Sequence, residues 1–299
     1  MSVTAPDGQV LRGNSTLVQY LNLVKLPHTL FALPFALLGV VAASFRVPVR
    51  WETVGLVVLA FSAARWAAVA FNMIADLEFD RHNPRNRGRV LPRGRLTPRQ
   101  AWASLVAAAL VFVAAAAAIN PLCGLLSLPA LAWVLAYSLS KRFTYWPHLW
   151  LGASLAIAPV GGYLAVTGRW SEPWWVLPAV ALAVATWVAG FDIFHALPDE
   201  AFDRAHGLRS AVVRLGPAGA LRLARLLHAL TVVALVLFGS GAGFGAWYHA
   251  GVALAAVILW QEHRLVRPDD FSRLGPAFFA MNALMAGLVL AFALLDRLV

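Results

Sequence analysis

Runs of about twenty apolar residues recur from one end of this chain to the other, and they limit its fold more than any other feature. A bilayer core of about 30 Å is crossed by about 20 helical residues. Inside it, only helices and closed barrels satisfy their own backbone polar groups. The runs lie near 20–45, 53–76, 100–119, 122–140, 149–167, 174–195, 218–239, 243–261 and 275–296. The expected fold is all-α and integral to the membrane, with nine transmembrane helices forming a single domain over 1–299. Asn120-Pro121 joins the third and fourth runs as a tight turn.

Composition excludes the other classes. Hydrophobic residues make up 61% of the chain and charged residues 13%, with a mean hydropathy of +0.72. Soluble domains carry roughly a quarter charged residues. A lone cysteine, Cys123, cannot form an internal disulfide. The N-terminal residues lack the basic start and cleavage site of a signal peptide, so the first run is read as a permanent span. A net charge of +10 suggests anionic lipid and an anionic substrate here, not nucleic acid.

Basic residues set the orientation. With nine spans, one set of loops carries 19 of the 24 Lys and Arg residues, the opposite set carries four, and Arg65 lies within a span. The positive-inside bias places the first set in the cytoplasm and predicts an inner (plasma) membrane protein. Two cytoplasmic loops, 77–99 and 196–217, are too long to be plain connectors, and the chemistry is expected there.

Half of the 14 acidic residues fall in two short windows. One contains Asp76, Phe79, Asp80 and Arg81, and the other Asp199, Phe202, Asp203 and Arg204. The copies begin 123 residues apart, each at the cytoplasmic end of a span, which predicts two related halves around a central cavity. A spacing of four puts each Asp pair on one helix face, about 6 Å apart. Four carboxylates facing one cavity repel each other, and a divalent cation resolves the repulsion. Oxygen-only ligands favour Mg²⁺, completed by water and substrate phosphate. The plainer alternative is a set of solvated helix ends paired with neighbouring arginines. Acids at membrane depth are costly and usually functional.

Arginines 81, 85, 87, 89, 93 and 95 surround the first copy, and guanidinium forks match phosphate oxygens. Positive-inside charge and lipid headgroups also account for such a run. Arg65 sits too deep in its span to snorkel easily, so a buried carboxylate or phosphate partner is expected. Tyr137 and Lys141 lie one turn apart, followed by Arg142, as an interfacial belt or as a grip on phosphate. The eight histidines are scattered, with no zinc-ligand spacing.

At these residues the sequence resembles the UbiA superfamily of membrane prenyltransferases. That family carries Asn-Asp-x-x-Asp-x-x-x-Asp after its second helix and Asp-x-x-x-Asp after its sixth. Asn72, Asp76 and Asp80 match the first motif, and Asp199 and Asp203 match the second. Arg65, the stretch Arg85/Arg89/Leu91-Pro92-Arg93-Gly94, and Tyr137-x-x-x-Lys141 resemble further family elements. Met73 replaces the second residue of the Asn-Asp pair. With 28–37 and Gly190-Phe-Asp-Ile-Phe, that replacement looks like the subgroup of 4-hydroxybenzoate polyprenyltransferase-like enzymes. Some members of that subgroup serve the futalosine route to menaquinone.

The resemblance implies Mg²⁺-dependent transfer of a polyprenyl group from polyprenyl diphosphate to an aromatic acceptor, 4-hydroxybenzoate or a dihydroxynaphthoate, in quinone (ubiquinone or menaquinone) biosynthesis. It places Mg²⁺ on Asp76, Asp80, Asp199 and Asp203, with Asn72 supporting the assembly. It places diphosphate on Arg85, Arg89, Lys141, Tyr137 and Arg142. Asp192 is the candidate base or acceptor-orienting group, and Arg65 and His28 are acceptor-side candidates. The implied partners are the two substrates and the bilayer, with no protein partner. Prenyl transfer to haem or a chlorin remains an alternative. From other classes, a secondary transporter predicts acids near the midplane and broken helices. A CDP-alcohol phosphotransferase predicts a denser acidic pattern that is absent here.

Overall fold

The structure is a computed structural model that describes residues 13, 15–24, 32–266 and 276–299. The described residues are helical or connecting, with no strand among them. The helices are α1 (Thr16–Leu23), α2 (Leu33–Ser44), α3 (Trp51–Ala75), α4 (Leu77–His82), α5 (Pro98–Ile119), α6 (Pro121–Ala136), α7 (Pro147–Thr167), α8 (Val176–Ala196), α9 (Glu200–Ala205), α10 (Ala211–Ala242), α11 (Ala246–Leu265) and α12 (Pro276–Leu298). Short 3₁₀ turns follow α6 (Tyr137–Arg142) and α8 (Leu197–Asp199).

Among the described residues, seven helices are long and apolar enough to cross a membrane, and they fall on seven of the expected runs. The chain is an integral membrane protein. The other two runs differ. At the expected 20–45 span the structure has α1 and the 12-residue α2, with 25–31 outside the described residues. Pro34 in the first turn of α2 suits a helix start, and α2 alone rises only about 18 Å. At 243–261 lies α11, which is 20 residues long but polar at both ends, with Tyr248-His249 and Gln261-Glu262-His263-Arg264.

Helix starts follow their sequence signals. Thr97 caps α5 in a reciprocal box with Gln100. Asn120 is extended, accepts the Cys123 N–H at 2.8 Å and starts α6 ahead of Pro121. Its amide also donates to Leu164 O at 3.0 Å, which ties the α5–α6 corner to α7. Gly216 (φ 66) and Pro217 kink α10 below its apolar run.

Buried helix α8 lies between α7 and α10, with Trp187, Phe194, Leu177 and Ile193 enclosed. Large apolar side chains elsewhere face outward, as a lipid-facing surface requires, among them Leu110, Leu125, Leu226 and Trp260. Lipid offers no hydrophobic drive between helices, so small residues and close packing hold the bundle. At Gly162 of α7 a Cβ would run into the Ala36 carbonyl of α2, and at Gly152 into the Ala185 carbonyl of α8. At the bundle end where α11 starts, Asp296 accepts backbone N–H groups from Gly245 at 2.6 Å and Trp247 at 3.0 Å.

Gly162→Leu will separate α2 from α7. Overpacking of this kind costs about 1–3 kcal/mol. The expected outcome is a lower unfolding midpoint in detergent than for Gly161→Leu next to it, where a Cβ meets open space.

Candidate functional site

Both acidic motifs are built the same way. At the first, α3 ends as the Asp76 N–H bonds to Asn72 O at 2.9 Å. The backbone turns at Asp76 (φ −93, ψ 2), and six-residue α4 follows, with the Asp80 N–H on Asp76 O at 2.8 Å. At the second, α8 tightens into a 3₁₀ turn ending at Asp199, and six-residue α9 follows with Asp203 inside it. The second acid of each pair is buried, with 3% exposure at both Asp80 and Asp203.

The carboxylates have specific partners. Asn72 Nδ2 donates to Asp76 Oδ2 at 3.1 Å. Arg89 Nη1 donates to Asp80 Oδ2 at 2.7 Å. Arg85 Nη1 donates to Asp199 Oδ2 at 3.0 Å and to His195 O at 3.1 Å. Asp203 Oδ2 is buried without a hydrogen-bond partner.

Both arginines come from the loop after α4. Asn83 Oδ1 accepts the Arg85 N–H at 2.9 Å and turns the loop back. Val90, Leu91 and Leu96 then bury against Leu23, Ala67, Ala70 and Met73. These anchors hold Arg85 and Arg89 over the acids.

All these groups line one cavity of about 1230 Å³. Its polar end holds Asn72, the four aspartates, Arg85, Arg89, Tyr137, Lys141 and Asp192. Its other end is apolar, with Phe61, Phe112, Ile119 and Leu126 on the wall. Arg65 lines it too, with Nε buried and lacking a partner. Tyr137 and Lys141 sit on the 3₁₀ turn after α6, not on a continuing α-helix. The Lys141 carbonyl accepts the Arg209 N–H at 2.8 Å, which fixes this turn to the loop before α10.

Two expectations about site residues need separate statements. Arg142 is not brought to the cavity. It donates to Ala75 O at 2.7 Å and lies over the Phe79 ring at 5.8 Å, because the tight turn points it away from Lys141. His28 lies outside the described residues. The structure also adds groups that the sequence did not single out. His148 and His195 line the cavity, and His148 Nδ1 is 2.7 Å from Asp192 Oδ2. Asn83 and Asn86 join the polar end. The 44-residue separation of His148 and Asp192 leaves no local pattern. The only signal was position, since His148 opens a helix seven residues after Lys141.

The donors suit a hard dication. They are carboxylate oxygens at the end of an apolar cavity, one of them buried without a partner. Among the described residues, no three His, Cys, Asp or Glu side chains converge tightly enough to hold an ion by themselves.

A sequence model of the UbiA prenyltransferase family matches residues 32–286. The chain belongs to the UbiA prenyltransferase family. It is an enzyme of prenyl transfer. It is 31% identical over 237 residues to a 4-hydroxybenzoate octaprenyltransferase of Ectopseudomonas mendocina (strain ymp), covering 77% of this chain and 78% of that one. A protein of that name from Aeromonas salmonicida (strain A449) is 30% identical over 281 residues, covering 93% and 96%. Among solved structures, an apo UbiA homolog from Aeropyrum pernix K1 superposes with a TM-score of 0.82 at 34% identity, covering 90% of this chain and 98% of that one. A UbiA homolog from Archaeoglobus fulgidus bound to GPP and Mg²⁺ shares the fold, with a TM-score of 0.72 at 21% identity over 94% of this chain and all of that one.

Arg89→Ala in this UbiA protein will leave Asp80 buried and unpaired. Breaking such a pair costs about 3 kcal/mol. Thermal unfolding in detergent should show a lower midpoint for Arg89→Ala, and adding Asp80→Asn should recover most of the loss.

Proposed function

We propose that this enzyme transfers a polyprenyl group from polyprenyl diphosphate to a ring carbon of 4-hydroxybenzoate or a dihydroxynaphthoate, as a step in quinone biosynthesis. One observation carries the reading. A single cavity joins paired carboxylates and guanidiniums at one end to an apolar channel at the other. That layout matches an amphiphile with a diphosphate head and a hydrocarbon tail. Family membership and the named relatives support it.

Asp76, Asp80, Asp199 and Asp203 would hold Mg²⁺, with Asn72 orienting Asp76. When bound, the ion supplies charge neutralisation for the diphosphate as leaving group. Arg85, Arg89, Lys141 and Tyr137 donate to diphosphate oxygens and stabilise charge that grows as the allylic C–O bond breaks. The bonding pair leaves with diphosphate. The apolar wall excludes water from the prenyl cation, and the Phe61 and Phe112 faces can stabilise it. A ring carbon of the acceptor supplies the new C–C bond and loses its proton. Arg65, with an unsatisfied Nε, holds the acceptor carboxylate. Asp192 orients the acceptor or takes the ring proton on its carboxylate.

The topology belongs to the same reading. The segment ending in α2 is the first of nine spans and α11 the eighth, with the two motifs marking related halves of one unit over 1–299. The charge bias supports a site at the cytoplasmic face of the inner membrane.

Purified protein in nanodiscs, given Mg²⁺, a polyprenyl diphosphate and a panel of 4-hydroxybenzoate, 1,4-dihydroxynaphthoates and haem, should yield a prenylated benzoate or naphthoate by mass spectrometry. Asp76→Asn and Asp199→Asn should each lower kcat at least about 100-fold, the scale of losing one preorganised electrostatic group. Undiminished transfer in either variant would sink the metal assignment. Prenylated haem alone would replace the acceptor class, and unmodified substrate crossing a vesicle membrane would point to a transporter.

A further inference from the structure

We infer that His148 is the positioning residue for Asp192, locking the acceptor-side carboxylate to the frame that carries the acidic motifs. The inference rests on the reading of Asp192 given above. His148 is the second residue of α7 and is 2% exposed. Its Nδ1 lies 2.7 Å from Asp192 Oδ2 on α8. Its Nε2 faces the backbone N–H of Ala211 at 3.4 Å. A ring nitrogen that faces an N–H must carry the lone pair, so the proton is on Nδ1 and is donated to Asp192. One carboxylate oxygen is thereby held from behind, and the other is left for the cavity that Asp192 lines.

The far side of the imidazole is equally fixed. Ala211 opens α10 behind the Ser210 cap, where first-turn N–H groups lack helical partners. The loop before it bonds through the Leu208 N–H to Asp203 O and through the Arg209 N–H to Lys141 O, both at 2.8 Å. One imidazole therefore connects Asp192 to the same backbone that registers Asp203 and Lys141. Without it the carboxylate is free to rotate at the end of α8. A misplacement of about 1 Å costs on the order of 100-fold in rate.

The test is kinetic and separates the two substrates. His148→Leu should lower kcat/KM for the aromatic acceptor about 100-fold and leave KM for the prenyl diphosphate unchanged. His148→Asn, whose amide N–H sits where Nδ1–H sat, should restore most of the loss. Because the residue acts through Asp192, His148→Leu added to Asp192→Asn should cost nothing further. Wild-type kinetics in His148→Leu would overturn the inference, as would losses that multiply in the double variant or a loss confined to the prenyl diphosphate. If His148→Leu does not fold, His148→Asn and His148→Gln make the comparison. The longer Gln side chain carries its amide past Asp192, and equal activities of the two would overturn the inference. Wild-type protein that prenylates no acceptor would instead remove the underlying reading of the function.

Discussion

The rest of the site depends on compensating four carboxylates at the end of an apolar bundle. Two unit charges 6 Å apart at a protein-like effective dielectric repel by about 3 kcal/mol. Asp80 and Asp203 are moreover almost fully withdrawn from solvent. The chain answers with arginines carried on a loop that is itself nailed down by Val90, Leu91 and Leu96. Apolar burial thus fixes the positions of the guanidiniums, and the guanidiniums make the acids tolerable. A fork that holds a carboxylate has the geometry to hold a phosphate, so the groups that compensate the acids are also the ones proposed to bind the diphosphate.

Small residues make up part of the cavity wall. Ala60, Ala64 and Ala68 line it from α3, and Ala153 and Ala156 from α7. Elsewhere on α7, Gly152 admits the α8 backbone and Gly162 the α2 backbone. The same helix is therefore packed tightly at its glycines and leaves open space at its alanines. Larger residues at the alanines would fill the channel, whereas larger residues at the glycines would push the helices apart. Small side chains serve two opposite purposes, decided by which neighbour they face.

Much of this was legible in the sequence because membrane physics writes in long runs. Seven spans, the Asn120-Pro121 corner and the two acidic motifs all declare themselves locally. The end of α1 at Leu23 does not, because an apolar run looks the same whether or not one helix continues through it. The tightening of Tyr137–Arg142 into a 3₁₀ turn was hidden too, and with it the diversion of Arg142 to the Ala75 carbonyl. Contacts over long sequence distances were invisible for a simpler reason. Arg85 meets Asp199 across 114 residues and His148 meets Asp192 across 44, and neither pair leaves a periodic trace.

The two acidic motifs share a local build but not a supporting cast. The loop after α4 supplies guanidiniums to both of them, Arg89 to Asp80 and Arg85 across the cavity to Asp199. The loop after α9 supplies neither. Arg204 of α9 is held by Glu200 and the Val213 carbonyl, and Arg209 of the loop by the Phe143 carbonyl. The second loop instead works through its backbone, bonding to Lys141, Asp203 and, at the start of α10, His148. Both motifs carry the acids, while the two loops support them differently. One loop supplies guanidiniums to the acids, and the other supplies backbone hydrogen bonds around them. In the proposed reaction, a polar head to be gripped and an acceptor to be aimed place those two different demands on the protein. An arginine is suited to the first, and a buried imidazole braced between a carboxylate and a helix start is suited to the second.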